Sequence, residues 1–122
     1  MERKKVVYIS GPITGVKEYW RAFEQAEDDL LALGCVPLSP AHLPQGLTNE
    51  QYMSIDLAMM ACADAVLFLP GYAQSKGAQL EYKHCEYTGK PRLYYRTEFP
   101  GAQDPRSLTL ARLRAELQEV DT

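Results

Sequence analysis

Ala65-Val66-Leu67-Phe68-Leu69 is a continuous apolar run, bounded by Asp64 on one side and by Pro70-Gly71 on the other. Five apolar residues in a row, without alternation, are typical of a strand that is buried on both faces of a parallel sheet. We therefore expect a β-strand here, with helices covering both faces of the sheet to which it belongs.

Strand-like and helix-like patterns alternate along the rest of the chain. Three further strands are predicted, at Val6–Ser10, Cys35–Leu38 and Arg92–Tyr95, and the proline in the second weakens that prediction. Helices are predicted at Tyr19–Leu33, from Thr48 to about Ala63, at Lys76–Thr88, and after a cap at Asp104-Pro105. Such alternation implies right-handed crossovers. We expect an α/β fold with a doubly wound, flavodoxin-like parallel sheet of four to five strands and helices on both faces.

Apolar stripes predict which side of each helix packs on the sheet. They are Trp20, Phe23, Ala26, Leu30 and Leu33, with Gly34 closing the helix; then Tyr52, Ile55, Met59 and Cys62; and finally Leu110, Leu113, Leu117 and Val120. The last stripe leaves two interpretations open, because it could pack on the sheet or on a second subunit.

Size and charge favour a single domain, residues 1–122, that acts on a small molecule. A chain of 122 residues is long enough for one packed core and too short for two. With 13 basic and 16 acidic residues, its net charge of −3 offers no electrostatic footprint for a nucleic-acid backbone. No apolar run approaches the ~20 residues that span a bilayer, and the start is not typical of a signal peptide. We therefore expect a cytoplasmic protein that does not contact the membrane.

The cysteines and histidines indicate neither a disulfide framework nor a metal site. Cys35, Cys62 and Cys85 are odd in number and widely spaced, as expected of reduced thiols in a cytosolic protein. His42 and His84 have no second ligand at helical spacing. We expect no metal and no cofactor.

Three loops follow predicted strands and would meet at the carboxyl edge of the sheet, where ligands of doubly wound proteins bind: Ser10–Gly15, Ser39–Gly46 and Pro70–Gly77. Glu81 lies in the first turns of the helix after the third loop, where the positive end of the helix dipole would keep its carboxylate ionised. A partly buried, ionised carboxylate can act as a nucleophile. Position alone also fits an ordinary surface acid paired with Lys76 or Lys83.

Asp56, in the first half of the preceding helix, is a better partner for Glu81 than Asp64. A strand of five residues rises roughly 15 Å, so Asp64 belongs to the opposite edge, as a turn or capping residue. Two carboxyls in different environments suit cleavage of an N-glycosidic bond, in which one attacks or stabilises the sugar carbon and the other protonates the leaving base. Asp56 could equally be a solvated helix residue.

Smaller groups complete the predicted site. Tyr8 could orient Glu81 through its phenol, or simply fill the rim of the core. The start of a helix at Ser75 offers backbone amides that would suit a 5′-phosphate, and the glycine-rich turn after the first strand permits close approach of a ligand. The predicted substrate-binding residues are Ser10, Gly11, Pro12, Gly15, Ser75 and Gly77.

Three ordered motifs resemble those of the nucleoside 2-deoxyribosyltransferase-like superfamily, and most closely a small bacterial and phage branch related to deoxynucleoside monophosphate N-glycosidases. They are Tyr8-Ile9-Ser10-Gly11-Pro12-Ile13-Thr14-Gly15; Asp56-Leu57 ahead of Cys62-Ala63-Asp64-Ala65-Val66-Leu67-Phe68-Leu69-Pro70-Gly71; and Ser75-Lys76-Gly77-Ala78-Gln79-Leu80-Glu81, ending in Gly89-Lys90-Pro91. The resemblance implies that Glu81 forms a covalent sugar intermediate, that Asp56 acts as an acid on the base and that Tyr8 orients Glu81. It also implies that Gly11 and Gly15 line the base and sugar pocket, and that a neighbouring subunit of a homodimer or higher oligomer helps to close it.

Two departures bear on the substrate. The transferases of this superfamily place an acid in the loop ahead of the glutamate, whereas this chain has Ser75, as the monophosphate glycosidases do, which favours a phosphorylated substrate. Those glycosidases carry a basic residue in the first loop near the phosphate, where this chain has Thr14 and Lys17. Hydrolysis and transfer both stay open, because either water or a second base could resolve the intermediate.

Two other kinds of protein fit the same pattern. A nucleotide-binding sensor or regulatory module would keep the pocket and the anion site without turnover. A redox flavoprotein would bind FMN at the same edge, although that idea rests on analogy of fold alone.

Overall fold

The computed structural model describes residues 3–120, which form a four-stranded parallel sheet with the order β2-β1-β3-β4. The strands are β1 (Val6–Ser10), β2 (Val36–Leu38), β3 (Ala65–Phe68) and β4 (Arg92–Tyr94). The α-helices are α1 (Tyr19–Ala32), α2 (Asn49–Cys62), α3 (Lys76–Thr88) and α4 (Pro105–Gln118). Short 3₁₀ turns lie at Pro40–His42 and Tyr72–Gln74. The doubly wound α/β fold is confirmed.

Successive side chains of a strand point to opposite faces of the sheet, and the core is accordingly divided in two. Val7 and Ile9 of β1 pack with α1 and α4, while Tyr8 packs with Met60 of α2 and Cys85 of α3. All four residues of β3 are buried, as its unbroken apolar sequence predicted. Helices therefore cover both faces of the sheet.

Pro37 lies in β2, which pairs with β1 at one end of the sheet order. A proline has no backbone N–H to donate, so it is tolerated in an edge strand, where one side of the backbone has no neighbouring strand. The strand forms despite its proline because of this position.

Two of the predicted helix faces need correction. In α1 the buried residues are Phe23, Ala26, Asp29 and Leu30, whereas Trp20 is 47% exposed. In α2 buried Met60 packs in the core with half-buried Leu57 and with Met59, which was predicted there; Asp56 is also half-buried, while Ile55 and Cys62 are exposed. Apolar residues surround most of α2, so the stripe chosen from the sequence avoided Asp56, and the real one includes it.

The first helix ends within one residue of the predicted position. Leu33 is the C-cap of α1, and Gly34 follows it with a φ of 80°. The N–H of Gly34 bonds to the carbonyl of Leu31, and that of Cys35 to the carbonyl of Leu30, which is a Schellman motif. In α4, Leu113 and Leu117 belong to the core, so this helix packs on the sheet.

A buried carboxylate, that of Asp29, joins α1 to the part of the chain that follows β4. Asp29 is fully buried, accepts a hydrogen bond from the Tyr95 hydroxyl and pairs with the guanidinium of Arg106 near the start of α4.

Within residues 3–120, no helix is long and apolar enough to cross a membrane.

Candidate active site

The site begins with two hydroxyl groups on the central strand β1. Tyr8 and Ser10 are two residues apart, so their side chains point to the same face of the sheet, the face covered by α2 and α3. Both residues are fully buried. Ser10 is the last residue of β1 and lies opposite Phe68 at the end of β3, so the two hydroxyls approach the carboxyl edge of the sheet.

The helix that follows β3 brings a carboxyl group over these hydroxyls. Ser75 is the N-cap of α3 and its side chain accepts a hydrogen bond from the N–H of Ala78 at 3.3 Å. Glu81 is on the buried side of α3 together with Ala78 and Cys85, and it is only 4% exposed. A glutamate almost never has such burial without partners.

Each oxygen of the Glu81 carboxyl group has its own partner on β1. The Tyr8 hydroxyl donates to Oε2 at 2.8 Å, and the Ser10 hydroxyl donates to Oε1 at 2.6 Å. Burial, together with the charges of Glu81 and Asp56, holds the pKa of Tyr8 far above its usual value, so Tyr8 stays a neutral donor. The strand therefore fixes both ends of the carboxylate.

A second carboxyl group reaches the same place from α2. Asp56 interacts with both Tyr8 and Glu81, and its Oδ1 is a buried oxygen that has no hydrogen-bond partner among residues 3–120. Burial raises the pKa of Asp56, against the opposing effect of hydrogen bonding with Glu81 and Tyr8. A buried polar atom without a partner is costly for folding, and a group retained at such a cost marks a candidate functional site.

Burial also decides the protonation of Glu81. Burial is the largest cause, and with the nearby charge of Asp56 it raises the pKa of Glu81 to about 7, against the hydrogen bonds from Ser10 and Tyr8. The sequence predicted that the helix dipole would keep Glu81 ionised; this was wrong because Glu81 lies in the second turn of α3, and the dipole acts mainly on the first. Because Glu81 and Asp56 lie close together, the protonation of one carboxyl group changes the pKa of the other.

The glycine-rich loop after β1 packs tightly against the end of β3. A Cβ placed on Gly11 would lie 2.9 Å from the Cβ of Leu69, so a larger residue there would force the chain apart. Gly71 has a φ of 87°, and a Cβ there would lie 3.4 Å from the ring of Pro12. The first and third loops are thus in contact, as their position after neighbouring strands predicted.

Other predicted residues are not all gathered around Glu81. Pro12 lines a cavity of about 350 Å³ on the α1 side of the loop, together with Val16, Lys17 and Leu69, and Glu81 does not line it. Gly15 is exposed, with a φ of 77°. Space around Gly77 is open, since a Cβ there would have no atom within 4 Å. The substrate-binding roles of these residues stay predictions.

Asp64 lies at the opposite edge of the sheet, as predicted. Its carboxylate pairs with Arg3 at 2.8 Å and accepts a hydrogen bond from the N–H of Val6, also at 2.8 Å. The hydrogen bond from Arg3 holds the pKa of Asp64 below its usual value. Asp64 is therefore a structural residue that holds the start of β1.

Sequence reasoning missed the contact between Ser10 and Glu81, because Ser10 was assigned to the substrate. The alternation of side chains along a strand was the signal that could have revealed it. Since Tyr8 was expected to reach Glu81, Ser10, two residues later, had to face the same way.

A family model described as "Domain of unknown function (DUF4406)" matches residues 5–94. The chain belongs to this family. The matched range contains Tyr8, Ser10 and Glu81, which are joined by hydrogen bonds, and also Asp56, so all four residues of the DUF4406 chain's candidate site lie inside the family domain. No curated protein sequence matches the chain.

Two solved structures resemble this DUF4406 protein. A 2-deoxyribosyltransferase from Bacillus psychrosaccharolyticus is 17% identical, with a TM-score of 0.61 over 95% of this chain and 92% of that protein. A 2-deoxyribosyltransferase from Leishmania mexicana is 18% identical, with a TM-score of 0.61 over 77% of this chain. The match spans only 65% of the Leishmania protein's length. At these identities the likeness establishes the fold, which is that of the nucleoside 2-deoxyribosyltransferases.

Proposed function

We propose that this protein cleaves or exchanges the N-glycosidic bond of a nucleoside or nucleotide, and that hydrolysis of a nucleoside 5′-monophosphate is its favoured reaction. The observation that carries the proposal is the close pair of carboxyl groups, buried Glu81 and half-buried Asp56, at the carboxyl edge of a parallel sheet. That edge is where ligands bind in doubly wound folds. The deoxyribosyltransferase fold supports the same class of chemistry.

A carboxyl pair of this kind is better suited to chemistry than to stability. Burying two like-charged groups side by side destabilises the folded chain unless they share a proton. Sharing one proton leaves one group able to donate a proton and the other able to attack, which is the division of roles that glycoside cleavage requires.

In the first step, Asp56 gives its proton to a nitrogen of the leaving base, and the electron pair of the C–N bond goes to that base. An oxygen of the ionised Glu81 forms a bond to the anomeric carbon, which yields a sugar ester. Tyr8 keeps the carboxylate in position through its 2.8 Å hydrogen bond. The step needs Glu81 ionised and Asp56 protonated, so the pair must hold one proton in total.

In the second step, a nucleophile attacks the anomeric carbon and Glu81 leaves as a carboxylate. When water attacks, its proton passes to Asp56, which restores the starting state and gives net hydrolysis. When a second base attacks, the same proton transfer gives base exchange. The two outcomes differ only in which nucleophile reaches the ester.

The first turn of α3 is the proposed site for a 5′-phosphate. The Ser75 side chain is already bonded to the N–H of Ala78. We therefore assign recognition of the phosphate to the backbone amides of Lys76 and Gly77, which the start of a helix leaves without partners inside the helix, with the positive end of the helix behind them. The open space at Gly77 leaves room for the phosphate. Gly11, Pro12 and Gly15 would line the base and sugar.

We also propose that the protein works in the cytoplasm as a homodimer or higher oligomer. Three large apolar side chains on α2 and α3 are exposed: Ile55, Leu80 and Tyr87, the last of them to 92%. These two helices cover the face of the sheet that carries Glu81, so a second copy could close the site there. Light scattering should give at least twice the mass of one 13.7 kDa chain.

The test is chromatographic detection of free base after incubation with a panel of nucleosides and 5′-monophosphates, each with and without a second base as acceptor. Wild type should release base, and Glu81→Ala should not. Glu86→Ala, an exposed acid on the same helix, is the matched control and should keep full activity.

The acceptor series separates the two reactions, because release without acceptor indicates a hydrolase and release that depends on acceptor indicates a transferase. No turnover by wild type on any substrate, together with calorimetric binding of a nucleotide, would replace this proposal with a nucleotide-binding sensor.

A further inference from the structure

We infer that Ser10 is a positioning residue for Glu81 rather than a contact for the substrate. Its hydroxyl holds Oε1 of the carboxylate while Tyr8 holds Oε2, so that two donors on one strand fix the orientation of the nucleophile. The inference deepens the proposed function and rests on it for its chemical meaning.

The geometry of β1 favours this role. Tyr8 and Ser10 are about 7 Å apart along the strand, and the strand lies between β2 and β3, hydrogen-bonded on both sides. A strand held on both sides is among the most rigid parts of a domain. The two hydroxyls therefore form a fixed pair of donors, and the carboxylate of α3 bridges them.

The hydroxyl of Ser10 has no proton left for a substrate. A serine has one O–H donor, and that of Ser10 is used in the 2.6 Å bond to Glu81. The residue is also fully buried, beneath the surface that a substrate would touch. A role in direct binding would require this bond to break and the serine to become exposed.

Two donors to one carboxylate stabilise its ionised form and hold its plane. Hydrogen bonds to a charged group are stronger than those between neutral groups. Loss of the Ser10 hydroxyl should therefore make Glu81 harder to ionise and free its carboxylate to rotate, which lowers the rate of attack. Substrate affinity should change little, because Ser10 does not touch the substrate.

The decisive experiment follows the Glu81 carboxyl carbon by NMR during a pH titration of the full chain labelled with ¹³C-glutamate. The Glu81 signal is assigned by its absence in Glu81→Gln. In Ser10→Ala its titration midpoint should rise by about one pH unit. In Ser39→Ala it should not move, because Ser39 is a buried serine beyond the end of β2 whose hydroxyl bonds to the N–H of Ala41.

Ser10→Cys provides a second variant with nearly unchanged volume and a much weaker donor, and its midpoint should also rise. An unchanged midpoint in both Ser10 variants would overturn the inference. The NMR titration needs no substrate, so it decides the role of Ser10 even when the base-release test of the proposed function fails.

Kinetics on a substrate from that panel give the complementary result. Ser10→Ala should lower kcat by about tenfold or more with little change in KM, and the pH profile should shift upward with the NMR midpoint. A raised KM with unchanged kcat and an unchanged pH profile would show that Ser10 contacts the substrate, which overturns the inference.

Discussion

Replacing Glu81 by glutamine should stabilise the protein at alkaline pH, because glutamine has no charge to bury. The pKa of Glu81 rises from its ordinary value of 4.5 to about 7 in the folded chain. At about 1.4 kcal/mol per pH unit, ionising it in the folded state costs about 3 kcal/mol. Glutamine keeps a similar shape and can still bond to Ser10 and Tyr8.

The sign follows from the direction of the pKa change. Below pH 4.5 the carboxyl group is neutral in both folded and unfolded chains, so it imposes no cost. Between pH 4.5 and about 7 the unfolded chain loses the proton first, and wild type loses stability relative to Glu81→Gln. Above about pH 7 the full difference of about 3 kcal/mol is present, which corresponds to roughly 10 °C in Tm for a domain of this size.

Urea unfolding of both proteins at pH 4.5, 6 and 8.5 measures the difference directly. Glu24→Gln, an exposed acid on α1, is the matched control and should follow wild type at every pH. Stability curves of wild type and Glu81→Gln that run parallel from pH 4.5 to 8.5 would refute the reasoning, because Glu81 would then have an ordinary pKa in the folded chain.

Three further predictions, two of them with a control substitution, concern the loops, the core and the reaction. Gly11→Ala should destabilise by about 1–3 kcal/mol, because the added methyl group overlaps the end of β3, whereas Gly77→Ala, in open space within a helix, should be neutral or stabilising by up to about 1 kcal/mol; thermal unfolding measures both. Arg106→Ala leaves the buried carboxylate of Asp29 without its cation and should cost about 3 kcal/mol in urea unfolding. Arg112→Ala is the control: it breaks the pair of this exposed arginine with Glu116 and should cost under about 1 kcal/mol. Asp56→Asn should lower base release by at least about 100-fold and abolish the alkaline limb of the wild-type pH–rate profile, because asparagine has no acidic proton to give to the leaving base. A retained limb in the variant would exclude Asp56 as the acid.

Much of the fold could be predicted because its signals are local. The apolar run that becomes β3, the start of a helix at Thr48, the cap at Asp104, and Gly34 after α1 each depend on signals within a few residues, and all appear as expected. The face of α2 was predicted only in part. Asp56 turns toward Glu81, which is distant in sequence, and no helical pattern encodes that contact.

The residues of the candidate site could be predicted from the sequence, but the protonation of Glu81 could not. Glu81, Asp56 and Tyr8 were identified from position and resemblance, and the structure brings the three together. The raised pKa of Glu81 could not be predicted, because it depends on burial that only the assembled layer of α2, α3 and β1 creates. The role of Ser10 could not be predicted either, because it also depends on how α3 packs on β1. Only the face of the sheet to which its side chain points was predictable.

The most direct measurement of the central claim is a search for the sugar on Glu81. Wild type is mixed with a substrate that releases base, quenched in acid within milliseconds, digested and examined by peptide mass spectrometry. The peptide that contains Glu81 should gain the mass of the sugar or sugar phosphate, and the gain should be absent from Glu81→Gln. Base release that persists in Glu81→Gln, with no sugar on this peptide in wild type, would contradict the assignment of Glu81 as the nucleophile.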